Sequence, residues 1–202
     1  MERTCWNTDL TEQDVGRQVI LVGWVAKRRN LGSILFIDLR DRWGITQIVV
    51  KPDNSFYAQA CKVKSEYVLK VDGIVIERES KNNNIPTGEI EVEVEKLEIL
   101  SESLQTPLLI QDDTDALEDT RMKYRYLDLR RPCMQQALIM RHKATIAIRN
   151  YFDSLDFVEI ETPVFGKSTP EGARDFLVPS RVHKGSFYAL PQSPQLYKQL
   201  LM

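Results

Sequence analysis

At 202 residues, 43% of them hydrophobic, the chain is long enough to bury a core and too apolar for a disordered segment. Its formal charge of -2 gives no global drive toward nucleic acid, and its apolar stretches are short and interrupted by charge. The N-terminus MERTCWNTDL has neither a basic nor an apolar leader region, so the expectation is a cytoplasmic protein without a membrane span.

In chain order, the first hundred residues read as strands. VILVGWVAKRR (19–29), SILFIDLRD (33–41) and GITQIVVK (44–51) alternate or run apolar and are rich in Val and Ile. Turn signals at Asn30 to Gly32 and at Trp43-Gly44 separate them, which predicts three consecutive antiparallel strands. SFYAQACKVK (55–64) has helical character, and YVLKVDGIVIERE (67–79) and EIEVEVEKLEIL (89–100) supply two more strands around the polar loop SKNNNIPTG. Three strands, a helix and two strands suit an all-β OB-fold barrel, whose second and third strands bind oligonucleotides; another five-stranded barrel or a half sandwich also satisfies the pattern.

Periodicity fades and acids accumulate from Leu100 to Thr120, which reads as a linker or hinge. A basic segment, RMKYRYLDLRR (121–131), leads past Pro132 into an amphipathic helix from Met134 to Leu155, ended by Asp156-Phe157. VEIETPVF then reads as a strand with Pro163 at its end, opening a second domain with an antiparallel sheet. In SPQLYKQLLM, Ser193 is placed to cap a helix, Pro194 suits its first turn, and Leu196, Leu200 and Leu201 recur at helical spacing. That apolar face has no following segment to cover it, so the expectation is the front part of a longer chain. The predicted organisation is 1–104, an OB domain; 105–132, a hinge; and 133–202, an incomplete second domain.

Signatures for phosphate loops, dinucleotide binding and serine hydrolases are absent. Cys5, Cys61 and Cys133 lack zinc or redox spacing and read as reduced packing thiols, while His142 and His183 are too few and too distant for a metal cluster. Charge is uneven along the chain. Acids dominate from Glu89 to Asp119, with Lys96 the only base, whereas residues 121–131 carry five bases against Asp128 alone. Such belts either direct a polyanion or are ordinary solvated faces.

Around the second and third strands lie Lys27, Arg28, Arg29, Phe36, Arg40, Arg42, Trp43 and Gln47, the types that stack unpaired bases, hold phosphates and bond base edges. Phe36 is either such a platform or barrel core. Later, Glu171 sits between Pro170 and Gly172, and Gln192, Ser193, Gln195 and Lys198 cluster at a strand-to-helix junction. A carboxylate, amides and an ammonium suit a zwitterion with an anionic side chain, although capped helices commonly carry the same residues.

VGWVAKRRNLGSILFIDLRDRWGITQIV, TGEIEVEVEKLEIL, KYRYLDLRRP and above all STPEGARDFLVPSRVHKGSFYALPQSPQLYKQLLM resemble the bacterial-type aspartyl-tRNA synthetases, a class II family. The resemblance implies an anticodon-binding OB domain, a hinge that meets the tRNA, and an antiparallel class II catalytic domain. It places Arg29, Phe36, Gln47, Arg78, Asn82, Asn84 and Glu91 at the anticodon, and Glu171, Ser193, Gln195, Leu196, Tyr197 and Lys198 at the aspartate. LDFVEIETPVF, with Pro163, resembles motif 1, which builds the family's homodimer interface; Leu31 and Lys81 resemble the type restricted to tRNA(Asp).

The implied partners are tRNA(Asp), L-aspartate and a second copy, with neither membrane nor DNA. ATP and Mg2+ serve the full-length enzyme and are not expected to bind well here, because the arginines and acids of motifs 2 and 3 do not occur within 1–202. The expectation is therefore an aspartate–tRNA ligase whose residues 1–202 do not activate aspartate alone. The alternative is a noncatalytic RNA-binding or regulatory paralogue ending near Met202.

Overall fold

A computed structural model describes residues 3–168 and 174–202, and the chain divides into two compact units, Met1–Arg131 and Pro132–Met202. In the first unit, β1 (Gln18–Leu31), β2 (Ile34–Arg40), β3 (Ile45–Val50), β4 (Val68–Glu77) and β5 (Ile90–Ser101) close into a barrel in the order β1-β2-β3-β5-β4. The pairings are antiparallel except β3 with β5, whose ends the chain joins through the short helix α1 (Tyr57–Ala60) and β4. That parallel contact needs a crossover, which explains why one strand and a helix intervene.

Alternation along β2 sorts the barrel's two faces. Leu35, Ile37 and Leu39 are fully buried with Leu21, Ile48, Leu69, Val71 and Val92, so Phe36, Asp38 and Arg40 point outward by the period-two rule. β1 runs to Leu31, past the expected turn at Asn30; Leu31 pairs with Ile34, and Gly32, at φ 69, supplies the left-handed residue of a two-residue hairpin. A bulge between Val25 and Lys27 lets this long strand bend around the barrel. The helix expected over 55–64 contracts to four residues, because only Ala60 of it is buried and little apolar surface rewards extension.

From Glu102 to Leu117 there is no regular element; α2 (Glu118–Lys123) and α3 (Arg125–Asp128) follow. The second unit contains α4 (Pro132–Asp153), the two-stranded antiparallel sheet of β6 (Phe176–Pro179) and β7 (Phe187–Leu190), and α5 (Gln195–Leu200). Asp156, at φ 62, ends the α4 segment in a Schellman-type cap: Asp156 N–H donates to the Asp153 carbonyl at 3.0 Å and Phe157 N–H to the Phe152 carbonyl at 3.1 Å. The rings of Phe152 and Phe157, 5.4 Å apart, supply the accompanying apolar contact.

Two local expectations are corrected. VEIETPVF forms no strand; only Gly166 beyond it makes an isolated bridge, to Ala189, since a lone extended segment needs a neighbour for its backbone hydrogen bonds. Ser193 does not cap α5: Pro194 holds the N-cap position and no side chain bonds the first turn. Leu196, Leu200 and Leu201 are 46%, 82% and 59% exposed, so their apolar face is uncovered as the sequence suggests.

Candidate nucleic-acid interface

The outward positions of β2 and β3 bring most of the predicted first-unit residues together. By register Phe36 lies between Arg29 on β1 and Val49 on β3, and Asp38 lies beside Gln47. A pocket of ≈ 360 Å³ is lined by Arg29, Phe36, Gln47, Arg78 and Glu91, with Leu31 and Ile34 at the hairpin end. Phe36 is half-buried rather than sealed in the core, which decides between its two readings in favour of an accessible ring.

Gln47 is only 3% exposed and organises the pocket floor. Its Oε1 accepts from Arg29 Nη2 and Arg78 Nη2, each at 2.9 Å, and its Nε2 donates to Glu91 Oε2 at 2.6 Å. Guanidiniums only donate and a carboxylate accepts, so these neighbours fix which way the amide faces. Its acceptor is filled, and one of its two N–H groups makes no side-chain hydrogen bond among the described residues. Arg29 Nη2 also donates to Asp38 Oδ1 at 2.7 Å. Burial pushes the Glu91 carboxyl above its ordinary value, with the Gln47 hydrogen bond and nearby Arg78 opposing the shift.

Asn82 and Asn84 do not line this pocket. Asn82 Oδ1 accepts from Asn84 N–H at 3.1 Å in an Asx-type turn, and Asn82 N–H donates to the Gly88 carbonyl at 3.0 Å. A Cβ on Gly88 would lie 1.7 Å from the Asn82 carbonyl oxygen, so this loop closes only around glycine. Lys81 anchors it, with Nζ 3.0 Å from Glu12, 3.3 Å from Glu77 and 2.5 Å from Glu89; these carboxylates, Glu89 foremost, push its pKa up.

The remaining basic residues of the predicted surface go elsewhere. Arg28 donates to the Cys61 carbonyl, Lys27 is exposed, and Arg40 binds both oxygens of Glu66 at 2.8 and 2.9 Å. Arg42 and Trp43 lie in the β2–β3 turn beside Trp6.

Sequence reasoning left one site unread. Asp128 is fully buried; its Oδ1 accepts from Arg121 Nε at 2.9 Å and Arg131 Nη1 at 2.8 Å, and its Oδ2 accepts from Arg125. Hydrogen bonds from Arg121 and Arg131 hold its carboxyl down at about 2. Arg131 also donates to the Gln111 and Asp112 carbonyls, each at 3.1 Å, fixing the irregular segment. The signal was available: residues 121, 125, 128 and 131 follow the four-three-three spacing of one helical face.

In the second unit, Gln195, Leu196, Tyr197 and Lys198 ride on α5 with Ser193 just before it. Lys198 lines two clefts against the end of the α4 segment, ≈ 650 Å³ and ≈ 680 Å³, the first beside Arg149 and Glu159. Gln195 lines neither, Pro163 is exposed, and Glu171 lies outside the described residues. No three His, Cys, Asp or Glu side chains converge to hold a metal among the described residues, and no helix of the described residues is long and apolar enough to cross a membrane.

The family described as tRNA synthetases class II (D, K and N) matches residues 117–202, and the OB-fold nucleic acid binding domain matches 19–100. The chain is 59% identical to an aspartate–tRNA ligase of Geobacillus kaustophilus and 58% to one of Lactococcus lactis, each over 100% of this chain and 35% of the relative. It is 55% identical to an aspartate–tRNA(Asp/Asn) ligase of a Geobacillus strain, over 99% of this chain and 34% of that protein. The chain thus spans about a third of the length of the curated relatives it matches. Among solved structures, it superimposes on an asparaginyl-tRNA synthetase from Pyrococcus horikoshii with TM-score 0.82 and 26% identity, covering 100% of this chain and 45% of that one. An aspartyl-tRNA synthetase from Entamoeba histolytica gives TM-score 0.76 at 22% identity, over 96% and 42%.

Proposed function

We propose, for a chain that belongs to the aspartyl-tRNA synthetase family, that residues 1–202 supply anticodon recognition and part of the aspartate site of an aspartate–tRNA ligase. The observation that carries this reading is the barrel pocket: an accessible ring, two guanidiniums, an oriented amide and a buried carboxylate meet in one concavity of the OB face. A base stacks on Phe36, a contact worth about 1–3 kcal/mol. The second N–H of Gln47 bonds an acceptor on a base edge, Glu91 accepts from an exocyclic amine, and Arg29 and Arg78 supply positive charge for the backbone. Asn82 and Asn84 act through the shape of their loop.

In the parent enzyme, Lys198 pairs with the substrate carboxylate and Glu171 with its ammonium, while Ser193, Gln195, Leu196 and Tyr197 complete that wall. A site built around a cation rejects analogues that leave it unpaired. ATP and Mg2+ belong to the complete enzyme, as does a homodimer using the Pro163 segment; the described residues show no cluster fitted to the ion. Residues 1–202 do not activate aspartate, because no arginine of motif 2 or 3 is present to meet charge at the transferring phosphorus.

Titrating the 202-residue chain with a tRNA(Asp) anticodon stem-loop tests the pocket. Phe36→Ala and Gln47→Ala should each weaken binding about tenfold or more, and unchanged affinity for both would sink the assignment. Aspartate-dependent pyrophosphate exchange by the chain would overturn its proposed inactivity. Restriction to tRNA(Asp) rests on the resemblance of Leu31, which lines the pocket, and Lys81, which pairs with Glu89, to the discriminating type. Charging of tRNA(Asn) by the full-length enzyme would reverse that part.

A further inference from the structure

At the far end of β2 and β3 from the pocket, Trp6 and Trp43 are 37% and 59% exposed, with rings 6.3 Å apart and nearly perpendicular at 81°. The Arg3 guanidinium stands 4.0 Å from the Trp6 ring centre and that of Arg42 5.0 Å from the Trp43 ring centre. Neither arginine forms an ion pair with a carboxylate among the described residues. Two acids of these segments are engaged with backbone: Asp9 accepts from Trp6 N–H at 2.8 Å, and buried Asp41 accepts from Asn7 and Trp43 N–H at 2.8 Å and Gly44 N–H at 3.1 Å.

These bonds stitch the N-terminal segment to the β2–β3 turn. Asn7 Nδ2 donates to the Leu39 carbonyl at 2.6 Å, Thr46 Oγ1 donates to the Asn7 carbonyl at 3.0 Å, and a Cβ on Gly44 would lie 2.4 Å from Thr8. The turn is therefore a firm mount for two partly exposed indoles, Trp43 the more open of the two. Trp and Arg also mark protein interfaces, but here each ring stands with one guanidinium on the barrel that carries the pocket, the pairing that engages a base face and its phosphate together.

We infer that the Trp6–Trp43 turn with Arg3 and Arg42 is a second single-stranded RNA contact, continuing the strand seated in the pocket along β2. The inference rests on the reading that the pocket binds RNA. Phe36 and Arg40 are four residues apart on β2, about 13 Å at strand rise, a span that a few extended nucleotides cover. The turn adds stacking and charge without base-edge readout, so it contributes affinity and salt dependence rather than sequence choice.

The test compares oligouridylates of four and twelve nucleotides binding to the 202-residue chain, read by anisotropy of a labelled oligonucleotide across a salt series. Trp43→Ala should weaken the twelve-mer about tenfold and leave the four-mer nearly unchanged, whereas Phe36→Ala should weaken both. Arg42→Glu, whose exposed side chain leaves the Asp41 bonds intact, should give a similar loss and a salt slope shallower by about one or more. Parental twelve-mer affinity in both turn variants, with Phe36→Ala still weak, overturns the second contact and leaves the pocket reading standing. The reverse pattern removes the pocket and keeps the turn. If the parent gains nothing from the longer strand, or if Trp43→Ala changes only self-association in sedimentation, the turn is not an RNA surface.

Discussion

In the barrel unit Leu21, Leu35, Ile37, Leu39, Ile48 and Leu69 are sealed from solvent, whereas in the second unit Leu138, Ile139, Ile148 and Phe157 stand about half exposed or more. Among the described residues Ala189 is the one buried apolar side chain beyond Arg131, and the 22-residue helix α4 buries none. The contrast shows where rigidity resides. A closed sheet covers its own core and holds the Gln47 network without help, while a helix and a two-stranded ribbon have too little mutual surface to do the same. Local opening should therefore cost the barrel nearly its global stability and the second unit very little.

The sharpest way to break this comparison is a matched pair of truncations. Ile37→Ala should destabilise the barrel by about 2–5 kcal/mol, and Ile148→Ala, at an exposed position, by within about 0.5 kcal/mol, measured by urea unfolding. Equal losses would show that α4 is covered in solution. Next in size is Asp128→Asn, which leaves three guanidiniums without their carboxylate and should cost about 3 kcal/mol.

The same Asp128 group gives a pH signature. Its folded pKa is depressed to about 2, so its contribution is present above the unfolded carboxylate range and is lost as pH falls from about 4 through 2. The Asp128→Asn variant should lose less stability than the parent across that window, and parallel thermal curves would contradict the buried ion cluster. Phe36→Ala should lower stability by less than about 1 kcal/mol while weakening RNA, since its ring is outside the core. The smallest effect belongs to Glu91→Gln. Burial raises the Glu91 pKa, so the charged form is penalised in the fold and that penalty fades as pH drops through the raised value. Glu91→Gln should be slightly more stable than the parent at neutral pH, with the gap in melting temperature closing under acid.

The strands were legible as apolar runs parted by turn signals, but the facing of β2 was not: Phe36 suited either side, and only the burial of Leu35, Ile37 and Leu39 turns it outward. Where burial is two-sided, as from Thr46 to Val50, alternation vanishes, and Gln47 looked like a free surface amide although it is 3% exposed and triply bonded. Its partnership with Glu91 joins residues 44 apart, a distance no local pattern reports. VEIETPVF failed for a different reason. Its composition is right for a strand, but a strand is a relation between two segments, and composition describes only one. Asp128 and its arginines stand at helical spacing, a relation that charge summed along the chain does not contain.

The filled acceptor of Gln47 bears on how such a pocket changes over evolutionary time. Replacing Gln47 alone strips Arg29 and Arg78 of a shared acceptor and leaves Glu91 without its donor, so three neighbours lose a partner in one step. A single substitution there that removes the amide dismantles the present network before another can form. Retargeting the pocket is an epistatic problem across at least four positions, and a selection that allows one mutation at a time should stall in the valley between two working sets.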